Sequence, residues 1–393
     1  MKKNILVFGA YDRYNYGDLL FPYIVEYHLK DIDTINSIKY YSVKQSDLSE
    51  FGGKKTQNLT DLYNECINVL CENIVIIAGG ETVGVTWDSY YTSLYKKGVA
   101  LRKLFAKIRL NKLFNIYAKI ILHGKGYFVF SIDKKSFKNI SKIIFNANGA
   151  SSINDIPIKS FLTPILNNVD YLAVRDDKSY FNLKCLSINS YVFPDSAILI
   201  SEIFPVDFLE KKVKQGIIDY INKTEYVVFQ INLINAKKYF SDIATSLTKL
   251  KNNHNVDICL CPIGLAHGHN DIEGLNIIEK KLKFKVSIFR EVSIWDIMML
   301  ISRSKAYIGT SLHGVITAMS YAVPYIGIYP NKLDSYLQTW GVDGSKKCVD
   351  TDKIHLKFRE LLGKEQNIFE LNRAFQISKS KESFSEISEI IKS

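Results

Sequence analysis

Proline is scarce, with 8 residues in a chain of 393, which excludes long Pro-rich linkers. The six cysteines (Cys66, Cys71, Cys185, Cys259, Cys261 and Cys348) include no Cys-x-x-Cys pair, so they do not spell a zinc site. Several lie in apolar runs, such as Asp257-Ile258-Cys259-Leu260-Cys261, and read as buried free thiols of a cytosolic protein. No apolar stretch approaches the roughly 20 residues of a membrane-spanning helix. Met1-Lys2-Lys3-Asn4 runs directly into Ile5-Leu6-Val7-Phe8, too short an apolar run before Gly9 for a secretory leader. The expectation is a soluble, cytoplasmic protein. Neither GxGxxG nor a Walker lysine is present, which removes the ordinary nucleotide motifs. Acidic residues are missing altogether between Asp88 and Asp133.

What is present is a chain able to build large cores. Hydrophobic residues make up 47% and charged residues 23%, and the length suits two domains, or three. The net charge of +11 favours anionic partners. Ile5–Phe8 reads as a strand, Gly9–Asp18 as a loop and Leu19–Leu29 as a helix. Continuous apolar runs that end at glycine or a turn read as parallel strands buried on both faces. These are Asn73–Ala78 before Gly79-Gly80, Lys142–Ala147 before Asn148-Gly149, Tyr171–Val174, and Tyr191–Phe193 before Pro194-Asp195. After a polar helix near 207–222 the pattern restarts with strands at Tyr226–Phe229, Val256–Cys261, Ala306–Gly309 and Pro324–Ile328. Helices at 241–250, 295–301 and 317–321 lie between them. The alternation predicts an α/β protein of two doubly wound, Rossmann-like domains facing across a cleft, a GT-B-like plan. The first spans 1–205 and the second 206–365, with the boundary within 200–222. A helical tail, 366–393, packs back on the first domain.

Several residues carry candidate chemistry. Thr310 or Ser311 can cap the helix after Gly309, which puts His313 in its first turn. Free backbone N–H groups and the helix dipole favour an anion there, and a histidine can exchange a proton with it. The alternative is a helix cap beside a histidine bonded to a loop carbonyl. Gly9 and Gly17 bracket the loop after the first strand and Gly79-Gly80 close another strand, where glycine lets a ligand approach the backbone or serves the turn alone. Arg175 suits a bidentate clamp on carboxylate or phosphate, or an ion pair with Asp176 and Asp177. Asp195 is either a base or a turn cap. His267-Gly268-His269-Asn270-Asp271 resembles a metal tract only superficially, with no third ligand in view, and no metal is expected.

In combination these segments resemble the polysaccharide pyruvyl transferase family over roughly residues 4–330. Asn15-Tyr16-Gly17-Asp18 resembles its NxGD motif, and Ile76–Gly80 its Gly-rich strand end. Ala173-Val174-Arg175-Asp176 with Ser179 resembles its VRD element. Phe193-Pro194-Asp195-Ser196-Ala197 resembles a DPA-like segment. Gly309–Gly314, with Ala322-Val323-Pro324 after it, is similar to the hallmark (S/T)xRLHG element. The resemblance implies a transferase that moves pyruvate from phosphoenolpyruvate to a sugar of a surface polysaccharide, exopolysaccharide or capsule, or to a lipid-linked precursor, forming a ketal. It implies His313 and Asp18 as catalytic residues and Arg175, Ser311, Thr310 and Gly314 as donor-binding. Asn15, Gly17, Gly79, Gly80 and Asp195 would line the cleft on the acceptor side. It implies no cofactor beyond phosphoenolpyruvate as co-substrate. A nucleotide-sugar-dependent glycosyltransferase of similar plan, or a non-catalytic member of a glycan-assembly complex, are the alternatives.

Two features depart from the family. Ser311 stands where many members have arginine, and serine offers no fixed charge or fork. Either another cation such as Arg303 or Lys305 reaches the donor, or the donor differs, or catalysis is lost. The acid-free stretch, in turn, holds Lys96, Lys97, Arg102, Lys103, Lys107, Arg109, Lys112, Lys119 and Lys125 interleaved with Leu101, Leu104, Phe105, Ile108, Leu113 and Phe114 at helical spacing. Residues 96–125 read as basic amphipathic helix. It either packs on its own domain or touches an anionic membrane peripherally, at the inner face. Nucleic acid is not expected as a partner, since no recognised module surrounds the segment.

Overall fold

A computed structural model describes residues 2–67, 72–137, 139–151, 153, 156–265, 270–329 and 331–393. Cys71, His267 and His269 lie outside the described residues. Two parallel sheets organise the chain. The first holds β1 (Lys3–Phe8), β2 (Ile35–Tyr41), β3 (Glu72–Ala78), β4 (Ile140–Asn148), β5 (Tyr171–Val174) and β6 (Tyr191–Val192), in the order β2-β1-β3-β4-β5-β6. The second holds β7 (Tyr226–Gln230), β8 (Asp257–Leu260), β9 (Ser287–Ile288), β10 (Tyr307–Gly309) and β11 (Tyr325–Gly327), in the order β11-β10-β7-β8-β9.

The period of two along β1 explains why both faces of the first sheet are covered. Ile5 and Val7 enter one core, and Leu6 and Phe8 enter the other. The core that holds Ile5 and Val7 continues through Leu20, Phe21 and Ile24 of helix α1 (Tyr16–Leu29) into Val228, Met298 and Val315 of the second half. A single apolar mass therefore joins the two halves. Burial of this kind contributes about 25 cal/mol per Å² of apolar surface removed from water.

Strand order in each sheet reverses once. In the first sheet this happens between β1 and β3, in the second between β7 and β10. At such a switch point the connecting loops part to opposite faces and leave a crevice at the carboxyl ends of the strands.

Three differences from the expected elements have physical causes. Helix α1 begins at Tyr16, so Gly17 and Asp18 occupy its first turn and not a loop. β2 is an edge strand whose Ile35-Asn36-Ser37-Ile38-Lys39-Tyr40-Tyr41 lacks the continuous apolar run of a central strand. The segment between β3 and β4 forms helices Trp87–Leu94, Lys96–Lys107 and Asn111–Ile121. Phe114, Asn115 and Ala118 of the last one are buried.

The final helix, Gln366–Lys392, is 27 residues long. It begins against the second half, where Asn372 donates to the Trp340 carbonyl at 3.0 Å. It ends beneath the first sheet, where Lys3 Nζ donates to the Ile391 carbonyl at 2.6 Å and Tyr171 meets Ser383 at 3.0 Å. Of the cysteines, Cys66, Cys259 and Cys261 are buried free thiols, and burial pushes the Cys66 thiol up to about 12. Cys185, expected to be buried, is exposed at the end of its helix. No helix of the described residues is long and apolar enough to cross a membrane.

Candidate functional site

The two switch points face each other across a cavity of about 250 Å³. The loops after β1 and β3 supply Arg13, Asn15, Asp18, Gly80 and Glu81. Those after β7 and β10 supply Gln230, Asn232, Thr310, Ser311 and His313. Arg175 after β5, Asp271 beyond β8 and Lys332 after β11 complete the charged lining. Sequence segments more than 300 residues apart thus meet because each follows the carboxyl end of a parallel strand.

His313 lies in the first turn of the helix Leu312–Ser320, whose N-cap is Ser311. The Ser311 hydroxyl accepts from the Gly314 N–H at 3.3 Å. Gln230 Oε1 accepts from the backbone N–H groups of Thr310 and Ser311, both at 2.9 Å. The turn from strand into helix is therefore fixed from β7.

The imidazole is seated by two glycines. A Cβ on Gly17 would fall on the His313 ring, so only glycine fits in that first turn of α1. Phe21, one turn further on, meets the ring edge to face at 5.6 Å. The Phe21 ring in turn occupies the space a Cβ on Gly79 would need. Gly79 (φ +66°) and Gly80 (φ +72°) are both left-handed, a conformation that favours glycine. The two successive left-handed residues turn Glu81 back towards Arg175.

His313 Nε2 stands 3.6 Å from Asp195 Oδ2. Asp195 does two jobs at once. Its Oδ1 accepts from the Ala197 N–H at 3.1 Å, capping a turn, while Oδ2 accepts from Arg175 Nη1 at 3.2 Å. Burial favours the neutral acid, but His313 and Arg175 outweigh it and hold the Asp195 carboxyl below its usual range.

Arg175 is 2% exposed. Its second Nη donates to Glu81 Oε2 at 2.8 Å. Glu81 Oε1 accepts from the N–H and the hydroxyl of Ser151 at 2.6 and 2.8 Å. Burial raises the Glu81 carboxyl and these donors lower it, with a net depression. Gly149 has no Cβ because one would collide with Glu81 Oε2. Asp176 caps the helix Asp177–Lys184 by accepting from Ser179 N–H at 2.8 Å, and Ser179 Oγ accepts from Ala150 N–H at 2.9 Å. The arginine is thus matched mainly by Glu81 and Asp195, with Asp176 farther off at 3.9 Å from Nε.

In the same cavity lining Asn15 donates to Asp18 Oδ2 at 2.7 Å. The loop that carries them is tied to the other half: Tyr16 N–H donates to the Ile263 carbonyl at 3.1 Å and Leu265 N–H to the Tyr14 carbonyl at 3.2 Å. Asp271 Oδ2 accepts from the N–H groups of Ile263 and Gly264, each at 2.9 Å. Its burial nevertheless lifts that carboxyl to about 6.

Of the residues expected from sequence, Asn15, Asp18, Gly80, Arg175, Thr310, Ser311 and His313 line the cavity. Gly17, Gly79 and Asp195 stand behind its wall, where they set the positions of His313 and Phe21, and Gly314 stands there too, packed against Tyr307 and Ile263. Arg303 and Lys305 do not reach the site. They pair on the surface with Glu210 at 2.9 Å and Glu225 at 2.6 Å. The cations that do face the cavity besides Arg175 are Arg13 and Lys332. Arg13 pairs with Asp12 at 3.1 Å and lies over the Tyr90 ring at 4.5 Å. Burial and the neighbouring Arg175 push the Lys332 ammonium down. Glu81 and Gln230 were detectable in principle, because each sits at the end of an apolar run read as a strand. Lys332 carries no local signal. Among the described residues, no group of three His, Cys, Asp or Glu side chains is placed to hold a metal ion.

A family model described as polysaccharide pyruvyl transferase matches residues 15–332. No curated protein sequence matches the chain. Among solved structures, the UDP-GlcNAc 2-epimerase of Methanocaldococcus jannaschii in complex with UDP-GlcNAc and UDP is similar over 93% of this chain and 94% of its own, at 15% identity and a TM-score of 0.56. The Neisseria meningitidis UDP-GlcNAc 2-epimerase bound to UDP-GlcNAc is similar over 100% of both chains, at 14% identity and a TM-score of 0.56. The Rickettsia bellii UDP-N-acetylglucosamine 2-epimerase covers 100% of this chain and 97% of its own, at 12% identity and a TM-score of 0.56. At such identities the likeness is one of fold, two Rossmann-like halves in a GT-B-like arrangement.

Proposed function

Because the chain belongs to the polysaccharide pyruvyl transferase family, we propose that it transfers pyruvate from phosphoenolpyruvate to two hydroxyls of one glycan sugar. In this reaction the donor methylene gains a proton and becomes a methyl group. One sugar oxygen adds to the neighbouring carbon, the bond from that carbon to the phosphate oxygen breaks, and the second sugar oxygen closes the ketal. The two hydroxyl protons end on the methyl carbon and on the phosphate. The demands on the protein are anion neutralisation and proton transfer.

The observation that carries this reading is the meeting of both switch points at His313, with Asp195 and Arg175 behind it and Asp18 in the same cavity lining. His313 serves as the acid/base towards the donor carbon. Asp18, oriented by Asn15, accepts a hydroxyl proton from the acceptor. Arg13 and Lys332 face the donor's phosphate and carboxylate in place of the arginine that Ser311 replaces, helped by the hydroxyls of Thr310 and Ser311. Arg175 acts as a positioning residue, its charge being matched already by Glu81 and Asp195. The acceptor is a sugar of a surface polysaccharide or its lipid-linked precursor, met on the cytoplasmic side.

Phosphate release from phosphoenolpyruvate in the presence of candidate glycans tests the reading. His313→Gln should lower turnover by roughly two to four decades, the scale of a general acid or base, with an unchanged melting temperature. Turnover of a nucleotide sugar without consumption of phosphoenolpyruvate would overturn it in favour of a glycosyltransferase.

A further inference from the structure

The helices Lys96–Lys107 and Asn111–Ile121 bury only part of their apolar surface. In the second helix Phe114, Asn115 and Ala118 turn inward. Leu113, Ile116, Tyr117, Ile120 and Ile121 stand exposed at i, i+3, i+4, i+7 and i+8, a continuous stripe on the outer side. Leu113 is 50% exposed, Ile116 47% and Ile120 65%. Val99, Leu104, Ile108 and Leu110 add to it from the first helix and the turn. Of the 21 large hydrophobic residues exposed among the described residues, nine lie within 99–121. Such a concentration marks an interaction surface.

Charge identifies what covers it. Exposed Lys96, Lys97, Lys103, Lys107, Arg109 and Lys112 surround the stripe, and residues 89–132 contain no carboxylate. Arg102 is the basic residue of the hairpin that pairs, with Asp88 at 3.2 Å. A nucleic acid would satisfy the cations and leave the leucines and isoleucines in water. An anionic bilayer satisfies both, taking the apolar stripe at the acyl boundary and the cations at its headgroups.

We propose that this hairpin docks the protein on an anionic lipid surface. A trench of about 830 Å³ supports the orientation. One end is lined by Arg102, Asn111, Lys112 and Asn115 of the hairpin, and the other by Arg13 and Glu81, which also line the candidate catalytic cavity. The trench thus runs from the polar side of the hairpin, which carries the exposed Arg102 and Lys112, to residues shared with the cavity. A glycan held by a lipid anchor in that surface would enter the trench head first. This last step rests on the transfer reaction proposed above, whereas the docking itself does not.

Co-sedimentation of the full chain with vesicles tests the docking without donor or acceptor, so its result is independent of the reaction. The wild type should pellet with phosphatidylglycerol–phosphatidylcholine vesicles at low salt and leave them at high salt. Lys103→Gln, Lys107→Gln and Arg109→Gln together should lower the partition coefficient about a hundredfold, at roughly fivefold for each basic residue near such a surface. Leu113→Gln, Ile116→Gln and Ile120→Gln together should abolish binding while the melting temperature and far-ultraviolet dichroism stay unchanged. The proposal falls if the wild type remains in the supernatant at low salt, which would leave an acidic protein as the occupant. It falls equally if neutral vesicles bind as well as anionic ones. A protein that binds vesicles but releases no phosphate from phosphoenolpyruvate would overturn the reaction and leave the docking intact.

Discussion

Arg175 and the cations of the 96–121 hairpin carry the same charge under opposite conditions. Arg175 is buried, and Glu81 and Asp195 engage its two Nη atoms. Lys103, Lys107 and Arg109 stand in water on the two helices and the turn between them, a stretch without a carboxylate of its own. A desolvated cation is tolerable only when matched, and once matched its charge is directed at fixed protein groups. A solvated cation needs no partner and stays available to one that arrives. The cavity floor is therefore a place where each group is set by another, and the hairpin a place where the groups await something external.

Removing the matched charge should give the largest effect. Arg175→Leu leaves Glu81 and Asp195 buried without a counter-charge, and should cost about 3–5 kcal/mol of stability, together with activity. Chemical denaturation measures it. A loss below about 1 kcal/mol would erase the contrast, placing Arg175 with the freely solvated cations.

Next comes the seat of the imidazole. Gly17→Ala places a methyl group where the His313 ring lies. The methyl would lie 1.8 Å from the nearest ring atom, so the ring must move by more than about 1 Å, which should lower turnover by at least roughly a hundredfold and lower the melting temperature less than that loss of turnover would suggest, since alanine favours the helix. Normal turnover would mean that the floor has slack the packing denies.

Asp271 sharpens the comparison through pH. Its folded carboxyl titrates at about 6 and its ordinary value is 3.8. The folded protein therefore binds this proton more tightly than the unfolded chain. The stability so gained is complete below pH 4 and is lost as pH rises through about 6, an amount of roughly 2–3 kcal/mol. Asp271→Asn should flatten that decline in a plot of melting temperature against pH from 4 to 7. Parallel curves for the two proteins would show that Asp271 does not cause it.

The smallest effect is expected on the hairpin. Lys103→Gln, Lys107→Gln and Arg109→Gln together should move the melting temperature by less than about 2 °C in vesicle-free buffer. A larger fall would mean that these cations are structural after all.

The elements that were legible in the sequence are those whose signal is local. β1, β3, β4 and β7 are apolar runs with abrupt ends, and the cap at Ser311 announces the helix that holds His313. β2 escaped because an edge strand pairs on one side and can carry Asn36, Ser37 and Lys39. In the site, Asn15, Asp18 and His313 belong to compact motifs. The partnership of Arg175 with Glu81 does not, because it crosses from β5 to β3 and exists only once the sheet is ordered β3-β4-β5. Lys332 is invisible for the same reason, since its approach to the cavity depends on where β11 leaves the second sheet. The sequence pointed to Arg303 and Lys305 by their nearness to His313 along the chain, but the helix before β10 ends on the far side, where each meets its own glutamate.

The hydrogen bonds from the first loop into the second half have a kinetic consequence. Enzymes built as two lobes commonly exchange ligands by swinging the lobes apart about a hinge. Here a swing would break the pairs between Tyr16 and Ile263 and between Leu265 and Tyr14. It would also part Tyr16 from Thr317, which meet at 2.7 Å, and split the apolar core that both lobes share. The final helix spans the same two lobes from the opposite side. These ties predict that the reaction proposed above runs without the lobes opening, so that the radius of gyration measured by small-angle scattering should be the same in the free and donor-loaded protein.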